Sequence, residues 1–276
     1  MTPVKLKGNL EKMRTCDDSP VRYSLMISDA HVDISELVGQ RIKLFFTGNI
    51  ACVGCGRKVR KTFNQGYCFP CFRSLAACDR CITSPELCHY AAGTCREPEW
   101  ASRHCMQPHV VYFANSSGIK VGITRASQIP TRFIDQGAIQ AMPVVRVANR
   151  YHSGLVEVML KRAFNDRTEW RTMLKNAVTP VDLDEVWREY RLTEGIDESS
   201  IADASGAASA SLIANAPVYE FDYPVVCYPE TVRAINVDKS PEIDERLLGI
   251  KGQYLIFERG VINIRKYGGY EIVFEA

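Results

Sequence analysis

The stretch HVVYFANSSGIKVGIT, residues 109–124, decides how the chain is read. His109 to Ala114 is an apolar, β-branched run, Asn115 to Gly118 a small polar turn, and Ile119 to Thr124 a second run of the same kind. Two such runs joined by a short turn containing glycine are predicted to form a strand hairpin. A short helix is predicted around Ile129 to Gln136, and a second beginning near Gly154. Along this path lie Tyr112, Lys120, Gly122, Thr124, Arg132 and Glu157, a set able to hold a phosphate, activate water and bind a divalent metal. The register of the hairpin is a test. If Ala114 stands opposite Lys120, Tyr112 and Lys120 share a face; if it stands opposite Ile119, they do not.

Working outward, 276 residues with 46% hydrophobic composition suffice for several cores. The formal charge of +2 excludes a uniformly basic coat, so the placement of charge matters more than its sum. Residues 52–73 carry Arg57, Lys58, Arg60, Lys61 and Arg73 with no acid, whereas residues 181–204 carry eight acids against two arginines. Residues 120–162, which include Arg125, hold seven Lys or Arg against two acids, which fits a phosphate-bearing partner. There is no secretory-type leader and no apolar run of the roughly 18 residues that a membrane span needs. The chain is therefore expected to be soluble and cytoplasmic, with no membrane partner.

Nine of the eleven cysteines fall between Cys52 and Cys105. In a reducing compartment such clustering points to metal rather than disulfides. Cys52 and Cys55, then Cys68 and Cys71, form two Cys-x2-Cys knuckles separated by twelve residues, the arrangement of a tetrahedral structural zinc. The ribbon between them joins the basic residues Arg57, Lys58, Arg60 and Lys61 to Tyr67, Phe69 and Phe72. These aromatics either stack on bases beside paired phosphates or pack beneath the zinc. A second metal is expected at Cys78, Cys81, Cys88 and Cys95, with His89 and Cys105 as substitute ligands and an iron–sulfur cluster as the alternative to zinc. His104 and His109 are read as structural.

HVVY followed by KVGIT, with Arg132 and Glu157 downstream, resembles the GIY-YIG nuclease superfamily, in particular its K-[IV]-G-x-T branch. That resemblance implies a small antiparallel sheet flanked by helices that cuts a phosphodiester with one divalent metal. Carried over, Tyr112 is the tyrosine that contacts the nucleophilic water, Gly122 keeps the scissile phosphate unobstructed, Arg132 holds phosphate and Glu157 binds Mg2+ or Mn2+. Asn165 and Asn176 are the candidates for a later asparagine. The first half-motif lacks its usual glycine. Lys120 replaces the second tyrosine, a role open to lysine only if its pKa is lowered. The order of the whole chain also resembles a zinc-ribbon-containing bacterial family with a domain of unknown function.

Elsewhere, residues 1–50 read as a β-rich region and 51–108 as the cysteine-rich region. The GIY-YIG-like domain would span 109–195, a linker 196–216, and a β-rich C-terminal domain 217–276. The fold class is α+β, with both terminal regions barrel-like, either as two small units or as one barrel built from both ends. Asp166 to Glu169 reads as a capping box, and Asp182 to Leu192 as a helix. The leading expectation is a metal-dependent nucleic-acid phosphodiester hydrolase acting on DNA or RNA. The alternatives are a non-catalytic nucleic-acid- or ribosome-binding zinc protein and a zinc-stabilised interaction scaffold. Each site residue also has a plainer role, with Glu157 paired to Lys161 one helical turn on and Arg132 paired to Asp135.

Overall fold

Strands His109–Asn115 and Ile119–Arg125 pair antiparallel with Ala114 opposite Lys120 and Tyr112 opposite Gly122. This is the register that sets Tyr112 and Lys120 on one face. The computed structural model describes residues 4–207 and 209–276. A third strand, Gln140–Val147, pairs along the other side of His109–Asn115, which makes that strand central. Short strands Ser211–Leu212 and Tyr219–Glu220 pair in turn with Gln140–Val147. The free side of Ile119–Arg125 is met by the chain after the next helix, where the Val121 N–H donates to the Asn165 carbonyl at 2.7 Å.

Every residue of His109–Asn115 is buried because both faces of the sheet are covered. On one face Val111, Phe113, Val121 and Ile123 share a core with Val156 and Leu160 of helix Arg150–Leu160 and with Leu183, Trp187 and Ile201. On the other, Tyr112 and Ala114 share a core with Phe133 and Ile134 of helix Thr131–Asp135 and with strands from both chain ends. Burial of an aliphatic or aromatic side chain contributes about 1.5–3 kcal/mol, so this strand is the main anchor of the hairpin. Helix Arg150–Leu160 starts earlier than the expected Gly154, because the Asn149 side chain caps it by accepting from the His152 N–H at 3.1 Å.

The terminal regions are not separate barrels. They interleave in one open sheet ordered Lys5–Asn9, Tyr270–Glu275, Arg41–Ala51, Glu242–Lys251, Tyr254–Phe257 and Val261–Asn263. Tyr270–Glu275 lies between the N-terminal strands Lys5–Asn9 and Arg41–Ala51, so the two ends complete one core together. A small sheet of Arg14–Cys16, Arg22–Ile27 and Ala30–Asp33 lies beside it in sequence.

Residues 196–216 are not a linker. Helix Glu198–Ser205 starts at a capping box of Asp197 and Ser200 and buries Ile201 completely. Its small residues allow close approach, and Ile201 supplies the apolar anchor that composition alone conceals. Near Asp166, the expected capping box is replaced by Glu169 acting as N-cap of helix Trp170–Leu174, accepting from the N–H groups of Arg171 and Thr172. Asp182 caps helix Leu183–Glu194. Among the described residues no helix is long and apolar enough to cross a membrane.

The cysteine-rich region docks on helix Arg150–Leu160. A Cβ on Gly154 would stand 2.6 Å from the Glu86 amide nitrogen, so glycine alone permits this approach. Arg150 Nη2 donates to the Ile82 carbonyl at 2.6 Å on the same side.

Candidate functional site

The thiols of Cys52, Cys55, Cys68 and Cys71 lie within 4.8 Å of one another. A tetrahedral zinc with Zn–S bonds of about 2.3 Å separates its sulfurs by roughly 3.8 Å, and Cys55 Sγ and Cys68 Sγ stand 3.8 Å apart. Cys52 Sγ accepts the backbone N–H groups of Cys68 at 3.1 Å and Gly54 at 3.4 Å. Burial pushes that thiol up, but these amides outweigh it and bring Cys52 down to about 6. The residues present fit a structural zinc. Around them Phe63 packs on Phe69 and Phe72, so the aromatics pack with one another, although Phe69 keeps 52% of its surface exposed. Arg57, Lys58, Arg60 and Lys61 are exposed on the ribbon.

The expected second thiol set, Cys78, Cys81, Cys88 and Cys95, is not gathered. The other group of close donors among the described residues is Asp79, Cys81 and His89. Cys78 is buried on the side of the first centre, where the Cys52 charge reaches it. His104 and His109 are structural as expected, each ring Nδ1 hydrogen-bonding a backbone carbonyl, of Trp100 and Gln107 respectively.

At the hairpin, Gln136 joins the strands to the short helix. Its Nε2 donates to the Tyr112 hydroxyl and, at 2.9 Å, to the Arg132 carbonyl, while its Oε1 accepts from Lys120 Nζ. The Tyr112 ring covers Gly122, where a Cβ would stand 2.7 Å from the hydroxyl oxygen. The bare backbone at Gly122 thus makes room for a phenol. Arg132 is pushed up by the Tyr112 oxygen beside it, against the effect of burial. Burial, aided by the Arg132 charge, holds Lys120 down at about 8. Burial lowers Arg150 and Arg265 as well, and the Arg132 charge again adds to it.

The Arg132 charge thus acts on Lys120 of the hairpin, Arg150 at the start of helix Arg150–Leu160 and Arg265 in the turn Ile264–Tyr267. Among the described residues, Lys120, Arg132, Arg150 and Arg265 make no ion pair with a carboxylate. Asp135, the alternative partner for Arg132, pairs with Lys12 and accepts from Gln253 Nε2 at 2.9 Å. Glu157 is buried, which raises its carboxyl pKa, and its charge acts on Lys120, Arg132 and Arg150. Its ion partner is Lys161 at 3.5 Å, and Lys161 also meets Asp166 at 3.0 Å.

Other expected residues lie elsewhere. Arg125 stands opposite His109, five residues along the strand from Lys120, roughly 16 Å away. Thr124 is buried opposite Val110 on the Tyr112 face. Asn165 serves the hairpin through its backbone, and Asn176 Oδ1 accepts from Lys251 Nζ at 2.6 Å. Sequence reading missed Gln136 and Arg150. Gln136 had a signal, standing one helical turn after Arg132. Arg265 joins them from the far end of the chain.

The family described as Protein of unknown function (DUF2797) matches residues 39–272. The chain belongs to that family. The DUF2797 match runs from the first long strand of the terminal sheet to its last, and so takes in the four-cysteine group, the hairpin and Arg132 together. No curated protein and no solved structure matches the chain.

Proposed function

We propose that this DUF2797 chain binds nucleic acid by its phosphates at the Arg132 cluster and hydrolyses a phosphodiester there, as the GIY-YIG enzymes resembled by its hairpin do. The observation that carries this reading is that Lys120, Arg132, Arg150 and Arg265 are all buried or half-buried, that none makes an ion pair with a carboxylate among the described residues, and that the Arg132 charge acts on the other three. Half-buried cations left together repel and lose hydration, and a phosphate among them offsets both costs. Nucleic acid is favoured over a free anion by the exposed basic ribbon and by a groove of about 480 Å³ whose lining joins Lys61 and Lys266 to Tyr267 and Tyr270, with Asp238 as its one acid. The turn Ile264–Tyr267 carries Lys266 at that groove and its neighbour Arg265 at the cluster.

In this reading Arg132 grips the non-bridging oxygens with its planar fork. Tyr112 orients the attacking water, and Lys120, half neutral near pH 8, takes its proton. Glu157 belongs to no close group of three donors among the described residues. It suits Mg2+ or Mn2+ only where water and substrate phosphate supply the other ligands, as Mg2+ sites commonly allow. The ion there would neutralise developing charge and acidify bound water.

A second reading, non-catalytic docking on nucleic acid or the ribosome, is favoured by one observation: Tyr112 is completely buried with its hydroxyl engaged by Gln136. Labelled single- and double-stranded DNA and RNA, offered to the protein and to Glu157→Gln with and without Mg2+ or Mn2+, separate the two. Metal-dependent cutting, lost in Glu157→Gln while binding persists, is the expected result. Binding without cutting by either protein overturns hydrolysis and leaves docking; neither binding nor cutting overturns both.

A further inference from the structure

Between Ala76 and Glu97 the chain forms short turns at Ala76–Cys78, Arg80–Ile82 and Pro85–Leu87 and no strand. Only Ala76, Cys78 and Pro85 are buried in this stretch. A segment with so little core needs another constraint to hold one shape. Yet it must hold its shape, because Pro85 and Glu86 press on Gly154 and the Ile82 carbonyl receives Arg150.

The donors that could supply the constraint are already in place. The ligand atoms of Asp79, Cys81 and His89 lie within 4.8 Å of one another, all half-buried. His89 Nε2 and Asp79 Oδ2 are 3.3 Å apart. Nitrogen and oxygen ligands of a tetrahedral zinc, each about 2.0–2.1 Å from the ion, are separated by roughly 3.3 Å. The ring is also oriented as a ligand. Thr94 Oγ1 donates to the His89 carbonyl at 3.4 Å, so it accepts from His89 Nδ1–H at 2.8 Å. The Nε2 lone pair then faces a carboxylate and a thiol, an arrangement of electron-rich atoms that a cation between them stabilises. A hydrogen bond from the far ring nitrogen is the usual support of a metal-bound histidine. Asp79 is held at both oxygens, with Arg96 Nε 2.8 Å from the same Oδ2 and the Arg80 N–H donating to Oδ1 at 2.6 Å.

We propose that Cys81, His89 and Asp79 bind a second zinc ion, which closes the 81–89 loop into the rigid surface on which the Glu157 helix rests. Thiolate with imidazole selects zinc over magnesium or calcium. The three donors leave a fourth position open to water or to one of the neighbouring thiols Cys88, Cys95 and Cys105. This ligand set differs from the one suggested by Cys-x2-Cys spacing, which would take Cys78, and it stands whether or not the chain cuts nucleic acid.

The test is metal content of the purified full-length chain by mass spectrometry, with hydrogen exchange of residues 150–160 as a second readout. About two zinc ions per chain are expected for the protein and for Cys78→Ser, and about one for Cys81→Ser and for His89→Ala. In His89→Ala the 150–160 amides should exchange at least about tenfold faster, the effect of losing a local constraint. Should Cys81→Ser fail to fold, the His89→Ala count decides. One zinc per chain in the unaltered protein, iron in place of zinc, loss of an ion in Cys78→Ser, or two ions retained by His89→Ala would each overturn the proposal.

Discussion

The Tyr112 ring rests against the backbone of Gly122, so closely that a Cβ there would come within 2.7 Å of the hydroxyl oxygen. The glycine of the second half-motif and the tyrosine of the first are thus one packing unit, cross-strand partners on one face. Gly122→Ala should destabilise the fold by about 1–3 kcal/mol through overpacking. In a Tyr112→Leu background the alanine should cost measurably less, because the ring is gone. Denaturant unfolding of the two single variants and the double variant checks this, and strictly additive losses would show that the ring does not occupy that space.

Lys120 makes alkaline stability informative. Its folded pKa of about 8 lies below the ordinary lysine value of 10.5. Between those values the unfolded chain holds more protons, so stability should rise as pH climbs from about 8 towards 10.5; below pH 8 the penalty of the buried cation is fully present. The gain should reach at most about 3 kcal/mol. Lys120→Met should lack this slope in urea unfolding across the same range. If both proteins show the same pH dependence, Lys120 is not the group responsible.

His109 works at the other end of the scale. It is completely buried, its Nε2 has no hydrogen-bond partner among the described residues, and burial lowers its pKa to about 4. The unfolded chain therefore takes up a proton first on acidification. Its share of the stability is intact above about pH 6.5 and lost as pH falls towards 4, by up to about 3 kcal/mol. Melting temperatures from pH 7 to 4 should fall less steeply for His109→Gln than for the unaltered protein, and equal slopes would count against this.

Stripping the first zinc should act locally. With a strong chelator at neutral pH, amides of residues 52–71 should lose protection, since the thiolates hold that ribbon together. The 109–125 hairpin, buried on both faces, should keep its slow exchange. Simultaneous loss of protection in both would mean that the zinc supports the whole fold.

What the sequence made legible was local. The two strands of the hairpin were legible although their register stayed open, and the knuckle spacing marked Cys52, Cys55, Cys68 and Cys71 as one centre. The short helix at Arg132 and the helix after Asp182 followed from periodicity and capping. Long-range pairing was not legible. Arg41 Nε donates to Asp244 Oδ1 at 2.7 Å across 203 positions, and no local pattern encodes such a partner. Arg265 reaches the cluster by the same route, through the interleaved terminal sheet. Around the second knuckle, Cys-x2-Cys spacing pairs Cys81 with Cys78, whereas the turn at Arg80–Ile82 presents Cys81 alongside Asp79 and His89.

The salt dependence of oligonucleotide binding probes the Arg132 cluster most directly. Affinity for a labelled single strand, measured from about 50 to 200 mM salt, should fall with a log–log slope of roughly −2 to −3, about −0.7 for each phosphate contacted. Arg132→Gln should flatten that slope by about 0.7 and weaken binding at least about tenfold at the lower salt. Affinity and slope unchanged in Arg132→Gln, or binding indifferent to salt in the unaltered protein, would contradict a phosphate site at Arg132.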